Sequence, residues 1–139
     1  MKIGIFALAA SAVLFATAAG AGPVPSIMKG VYTAAQAQRG QPLIAENCAQ
    51  CHGASLRGGS MAPPLIGPTF LGQWQGKSVD ELIRYVQTTM PPGQTGNLSR
   101  QEYADVVAVV LQRNGFPSGG GVDLSAANSG SRAIIPGKR

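Results

Sequence analysis

Five consecutive residues, Cys48-Ala49-Gln50-Cys51-His52, constrain this chain more than any other feature. Two thiols three positions apart, followed at once by an imidazole, form the pattern through which a c-type haem is attached. The thiols form thioethers to the two vinyl groups, and the imidazole is held beneath the iron. The 139 residues contain two cysteines and one histidine, so no leftover ligand competes for these roles. The alternatives are a thiol-redox pair, with a Cys48–Cys51 disulfide as its oxidised form, and a bound metal. The thiol-redox reading wants a strand before the pair and an α/β sheet around it, which the neighbouring segments do not provide.

The start of the chain reads as a targeting segment. Met1-Lys2 is a short positive end, Ile3 to Ala19 is nearly all small or apolar, and Ala19-Gly20-Ala21 fits a small-x-small cleavage site. Residues 1–21 are therefore expected to be a secretory signal peptide, which places the mature protein in the periplasm. The rival is an uncleaved anchor, the one case in which the protein would contact a membrane. The 17-residue run Ile3–Ala19 is at the lower edge of what spans a bilayer. Cleavage leaves 139 − 21 = 118 residues, one domain with a small core, for which a buried covalent cofactor would supply much of the missing interior. Removing Lys2 takes Lys plus Arg from 11 to 10 against 6 acids, a formal charge of +4. There is no basic cluster interleaved with aromatics and no zinc-finger spacing, so nucleic acid is not an expected partner. A mild positive face suits docking to an acidic redox protein, and suits plain solubility equally well.

The mature chain is expected to be all-α, with three main helices and long loops. Residues 22–32 form an extended lead-in, 33–117 the folded domain, and 118–139 a flexible Gly/Ser-rich tail in which little can form a core. Thr33 with Gln36 makes a capping box for a helix running to about Cys48, kinked or restarted near Pro42. Ser78 with Glu81 caps a helix at 79–88, which must end before Met90 because Pro91 disfavours helical geometry there. Ser99 with Glu102 caps a helix at 100–113, stopped by Asn114-Gly115. Tyr103, Val106, Val107, Val110 and Leu111 mark its apolar face. Residues 53–76 carry many glycines and prolines and are too long for an empty coil, so they need something to wrap. Leu65, Ile66, Phe70, Leu71 and Trp74 are the expected inward contacts, with a short helical turn around Pro68–Leu71.

His52 Nε2 is the expected fifth iron ligand, its other ring nitrogen donating a hydrogen bond that fixes the tautomer. The sixth ligand comes from Met28, Met61 or Met90, or the distal position stays open or lysine-bound. Met61 follows His52 too closely and Met28 lies in the lead-in, whereas Met90 is held by Pro91-Pro92. A thioether opposite the imidazole favours ferrous iron and leaves no position for oxygen or peroxide. That argues for an electron carrier, with no catalytic residues and no enzymatic activity.

Taken together, the attachment pentapeptide, Met61-Ala62-Pro63-Pro64-Leu65-Ile66-Gly67, Thr89-Met90-Pro91-Pro92 and the run from Gln101 resemble a small class I (monohaem) cytochrome c. The likeness covers roughly residues 33–117, and it is to the bacterial periplasmic type that accompanies quinoprotein and other dehydrogenases. The resemblance implies one haem c, attached at Cys48 and Cys51 and ligated by His52 and Met90. It implies that the Pro63 carbonyl receives the histidine ring proton. It also implies that the last helix crosses the first near Gly40, with Tyr103 near that crossing, and that Trp74 either bonds a propionate or simply packs. The expected partners are a periplasmic dehydrogenase as donor and a terminal acceptor. A tightly bound dehydrogenase subunit is the first alternative, and a haem enzyme or sensor with an open distal site the second.

Overall fold

The computed structural model describes residues 23–119, 121–125 and 128–137. The expected signal peptide, 1–21, lies outside the described residues. A 3-10 turn at Ile27–Lys29 precedes five α-helices: α1 (Ala34–Asn47), α2 (Ala49–His52), α3 (Gly67–Trp74), α4 (Val79–Thr89) and α5 (Arg100–Arg113). A second 3-10 turn, Ser129–Arg132, follows. Among the described residues there is no sheet, only an isolated antiparallel bridge between Ser78 and Ile134. Among the described residues the fold is all-α and loop-rich, with two more helices than the expected three. The additional ones are α2, which carries the cysteine–histidine motif itself, and α3, which extends the expected turn at 68–71 across Gly67–Trp74. Among the described residues no helix is long and apolar enough to cross a membrane.

Local capping chemistry starts the three longest helices. Ser78 and Ser99 form complete capping boxes with Glu81 and Glu102, each satisfying orphan N–H groups in both directions. Thr33 makes only half of one. Its hydroxyl accepts from the Gln36 amide at 3.0 Å, but the Gln36 side chain turns inward. There it donates to Asp105 Oδ1 (2.9 Å) and to the Leu124 carbonyl (2.7 Å), and accepts from the Leu124 amide (2.6 Å). A fully buried amide with three partners outweighs one exposed cap bond. Pro42 sits inside an uninterrupted α1, so the helix does not restart near Gln41.

α1 packs across α5 at Gly40. A methyl group on that α-carbon would lie 2.2 Å from the Asp105 carbonyl oxygen and 2.7 Å from Val109, so only glycine permits the approach. α5 is buried from Tyr103 through Leu111, more than the single apolar face read from its sequence. A helix apolar on nearly all sides belongs at the centre of a domain. Here α1 and α4 pack on it, and Val106, Val107 and Val110 line a cavity.

The segment after α5 corrects the expectation of a flexible tail at 118–139. Leu124, Ala133 and Ile135 are fully buried. Backbone bonds tie Gly119 to Tyr32, Ala133 to Val79, and Ile135 to both Lys77 and Gly76. Asp123 accepts from Thr33 and Arg39, and Arg39 also pairs with Asp105 at 3.1 Å. The apolar residues were too sparse along the segment to read as a core contributor. They act singly, each filling a position left by α1, α4 or α5. The lead-in is likewise packed, with Ile27, Val31 and Tyr32 buried and the Tyr32 hydroxyl donating to the Phe116 carbonyl at 2.6 Å.

Candidate functional site

Cys48 is the hinge between α1 and α2. Its amide donates to the Ile44 carbonyl and its carbonyl accepts from His52, both at 3.0 Å. The short α2 places residues 48, 51 and 52 on one side of a helical turn, because positions three and four apart share a face. Both thiols and the imidazole line one cavity, with about 820 Å³ of empty space including its open mouth. That is within the size range of cofactor pockets. His52 is 7% exposed. Its Nδ1 lies 2.7 Å from the Pro63 carbonyl oxygen. A carbonyl can only accept, so Nδ1 carries the proton and Nε2 keeps its lone pair.

The loop that delivers Pro63 is closed mainly on itself. Gly58 donates to the His52 carbonyl, Gly59 to Ala62, and Leu65 to Leu56, all at 2.9–3.0 Å. Leu56, 1% exposed, holds a left-handed backbone (φ 59°), a conformation that costs about 1–2 kcal/mol and is retained by burial of its side chain. Asn114 fastens the far end, donating to the Leu65 carbonyl and accepting from the Gly67 amide, each at 2.9 Å.

Met90 reaches the same cavity from the end of α4. Its amide donates to Val86 at 2.9 Å, its backbone is extended, and Pro91 and Pro92 beside it also form cavity wall. The Tyr103 hydroxyl accepts from the Gly96 amide at 2.9 Å and approaches the Met90 carbonyl at 3.4 Å and Asn97 Oδ1 at 3.3 Å. Tyr103 thus braces the loop after Met90. Met28 and Met61 are 41% and 63% exposed, and neither lines the cavity.

Pro63, Leu65, Phe70, Trp74 and Pro91 also line the cavity. Ile66 does not. It belongs to a separate groove with Pro64, Pro68 and Leu71, because successive residues of the extended 65–66 stretch point to opposite sides. Trp74 is 5% exposed, with Tyr85 edge-on at 5.2 Å, Phe70 at 6.3 Å and the Lys77 ammonium over its ring at 4.9 Å. Sequence reasoning passed over Asn47, Gln73 and Tyr85, which have no motif, and Pro92, which it treated only as a rigid neighbour of Met90. The apolar spacing of Leu82, Val86 and Val106 marked a buried face without showing that it opens on a cavity.

Among the described residues, the titratable side chains lining the cavity are His52, the two thiols and Tyr85. Burial pushes the Cys48 thiol above its ordinary range, and the neighbouring Cys51 adds to the shift. Among the described residues no group of three or more His, Cys, Asp and Glu is arranged to hold a metal ion alone. Two thiols, one imidazole nitrogen with a free lone pair, one thioether and apolar walls together fit a flat apolar macrocycle with a central metal.

Comparison with known proteins points to a cytochrome-type domain. One solved structure, the sulfane dehydrogenase SoxCD from Paracoccus pantotrophus, aligns with a TM-score of 0.56 and 25% identity over 72% of this chain. This chain spans about half (53%) of the SoxCD chain it matches. No curated protein sequence matches. The sequence profile of the family described as cytochrome c oxidase, cbb3-type, subunit III matches residues 35–109, from the start of α1 to within α5. That stretch is more than half of the 139 residues, so the chain belongs to this family, a cytochrome-type domain.

Proposed function

We propose that the protein is a periplasmic single-electron carrier with one haem c, attached through Cys48 and Cys51 and ligated by His52 and Met90. The observation that carries the reading is the meeting of Cys48, Cys51, His52 and Met90 around one apolar cavity, with the His52 Nδ1 turned to the Pro63 carbonyl. Haem c supplies a reversible one-electron couple at iron. His52 provides the nitrogen ligand, with its tautomer held by Pro63. The Met90 thioether would hold the iron from the other side of the cavity and favour its reduced state, leaving no room for a diatomic gas or peroxide. Leu65, Phe70, Trp74 and Val107 keep water from the site, which also disfavours the additional positive charge of the oxidised state. With His52 and Met90 both available to hold the iron, the protein would relay electrons rather than make bonds.

The likeness to a dehydrogenase structure supports a periplasmic dehydrogenase as the electron donor, with a downstream acceptor to complete the relay. It equally supports a second reading, in which the chain is a firmly held cytochrome subunit of such a dehydrogenase. Size-exclusion chromatography of the native extract separates the two, since a permanent subunit elutes with its enzyme. The ligand assignment is tested by spectra of wild type and Met90→Ala in both oxidation states. The variant is expected to lose the sulfur–iron charge-transfer band and to drop in potential. An unchanged low-spin spectrum and potential would remove Met90 from the ligand set. Haem staining on a denaturing gel is expected to vanish in Cys48→Ser/Cys51→Ser.

A further inference from the structure

Ile66 faces away from the cavity into a groove between the start of α3 and the end of α5. Pro64, Ile66, Pro68 and Leu71 give this groove an apolar floor, and the guanidinium groups of Arg57 and Arg113 stand in its walls. No carboxylate lines it. Arg39 pairs with Asp105 and Asp123, and Arg84 with Asp80 at 3.0 Å, whereas Arg100, at the far end of α5, is in no salt bridge among the described residues and stands apart from this groove. Among the described residues neither Arg57 nor Arg113 forms a salt bridge, and the hydrogen-bond partner of Arg113 is the neutral Gln41 at 3.3 Å. Two unneutralised cations over apolar floor residues are complementary to an acidic segment that also carries apolar side chains.

The groove is also adjacent to the candidate site. Pro64 lines both spaces, and the preceding residue, Pro63, holds the imidazole through its carbonyl. The groove floor is therefore one hydrogen bond and one peptide unit from the His52 ring. Asn114 pins this wall at the Leu65 carbonyl and the Gly67 amide, so it is presented in a fixed geometry.

We propose that this groove docks a carboxylate-rich, leucine-bearing segment of a protein redox partner, with Arg57 and Arg113 pairing its acids and Ile66 and Leu71 receiving its apolar side chains. The proposal rests on the electron-carrier reading and names the partner chemistry for it.

The test uses the reduced holoprotein and amide chemical shifts. The probe is a synthetic peptide of alternating glutamate and leucine; a glutamate-only peptide and a lysine–leucine peptide are controls. The glutamate–leucine peptide is expected to shift Arg57, Ile66, Leu71 and Gly115. Arg57→Gln/Arg113→Gln is expected to weaken its Kd about tenfold, two exposed ion pairs being lost. Ile66→Ser should also weaken it. Arg100→Gln, at the opposite end of α5 and on the order of 20 Å away, should leave it unchanged. An unaltered Kd in the double arginine variant would overturn the proposal. So would shifts centred on Tyr85 and Arg84 at another surface, or equally tight binding of the glutamate-only peptide. The haem spectrum of each sample separates the two claims. Absence of covalent haem with the peptide still bound defeats the carrier reading alone, and a normal low-spin spectrum without peptide shifts defeats the groove alone.

Discussion

The Nδ1 atom of His52 sits 2.7 Å from the carbonyl oxygen of Pro63, eleven residues along the chain. That bond depends on Gly58, whose φ of 81° is left-handed and whose added methyl would lie 2.7 Å from the Pro64 nitrogen. Gly58→Ala should push the proline pair away from the imidazole. With the proposed haem bound, a ring proton without its acceptor would make the imidazole a weaker donor to oxidised iron. The potential of the variant is expected to rise by roughly 60 mV, a tenfold change in a one-electron equilibrium. Potentiometric titration checks this, and an unchanged potential would mean that the Pro63 carbonyl does not tune His52.

Gly40 bears on stability rather than chemistry. Its α-carbon faces the Asp105 carbonyl so closely that alanine must separate α1 from α5. Gly40→Ala is expected to cost about 3 kcal/mol, the upper end for overpacking, because backbone rather than a flexible side chain would have to move. Chemical denaturation of the holoprotein gives the value. A loss well under 1 kcal/mol would show that the crossing is looser than described.

Tyr103→Phe removes the hydroxyl that accepts from Gly96 and reaches Met90 and Asn97. The exposed Gly96 amide is then taken up by water, so the stability cost is only about 0.5–1 kcal/mol. The loop after Met90 should loosen. The expected signature is faster hydrogen exchange at Gly96 together with weakening of the sulfur–iron band at high pH, where a looser thioether is displaced sooner.

The segment after Ser118 is expected to behave as part of the core. Truncation there withdraws Leu124, Ala133 and Ile135, and stability should fall by about 3 kcal/mol once the released chain entropy is offset. Gln36→Leu is the milder form. It leaves the Leu124 amide without its acceptor, and exchange protection at that amide should drop while protection at Val107 in α5 is kept. A truncated protein with wild-type denaturation would restore the flexible-tail reading.

Acid should weaken the fold through three carboxylates. The Ser78 amide and hydroxyl hold Glu81 below its ordinary value of 4.5, and Ser99 does the same for Glu102. The Thr33 hydroxyl, then the Arg39 guanidinium, hold Asp123 below 3.8. Folded values below unfolded ones mean a contribution that is complete above the ordinary carboxylate range and lost as pH falls through the depressed values. The urea midpoint is expected to be flat from pH 7 to about 5 and to decline below pH 4.5. Glu81→Gln/Glu102→Gln should flatten that decline.

Much of the scaffold was legible because it is local. Ser78 with Glu81 and Ser99 with Glu102 announce helix starts at a spacing of three residues, and both boxes form. The apolar spacing along 103–111 marked a buried helix, and Gly40 was marked as a crossing point through the family resemblance. Gln36 shows the limit of such reading. The same spacing from Thr33 proposed a capping box, yet its side chain bonds Asp105 and Leu124, 69 and 88 residues away. Ile66 shows another. It shares hydrophobicity with Leu65 but faces the opposite side of the wall, a distinction set by the extended backbone at that one residue.

By itself the chain specified its attachment motif, its helix caps and its all-α character, because each depends on groups a few bonds or one helical turn apart. Only the tertiary structure decided that Met90, rather than Met28 or Met61, faces the cavity, that Pro63 meets His52, and that Leu124 and Ile135 complete the core. Those outcomes depend on where loops close and which side each residue takes. Such closures are set by the packing of the whole domain, and a residue's own neighbours in sequence carry no record of them.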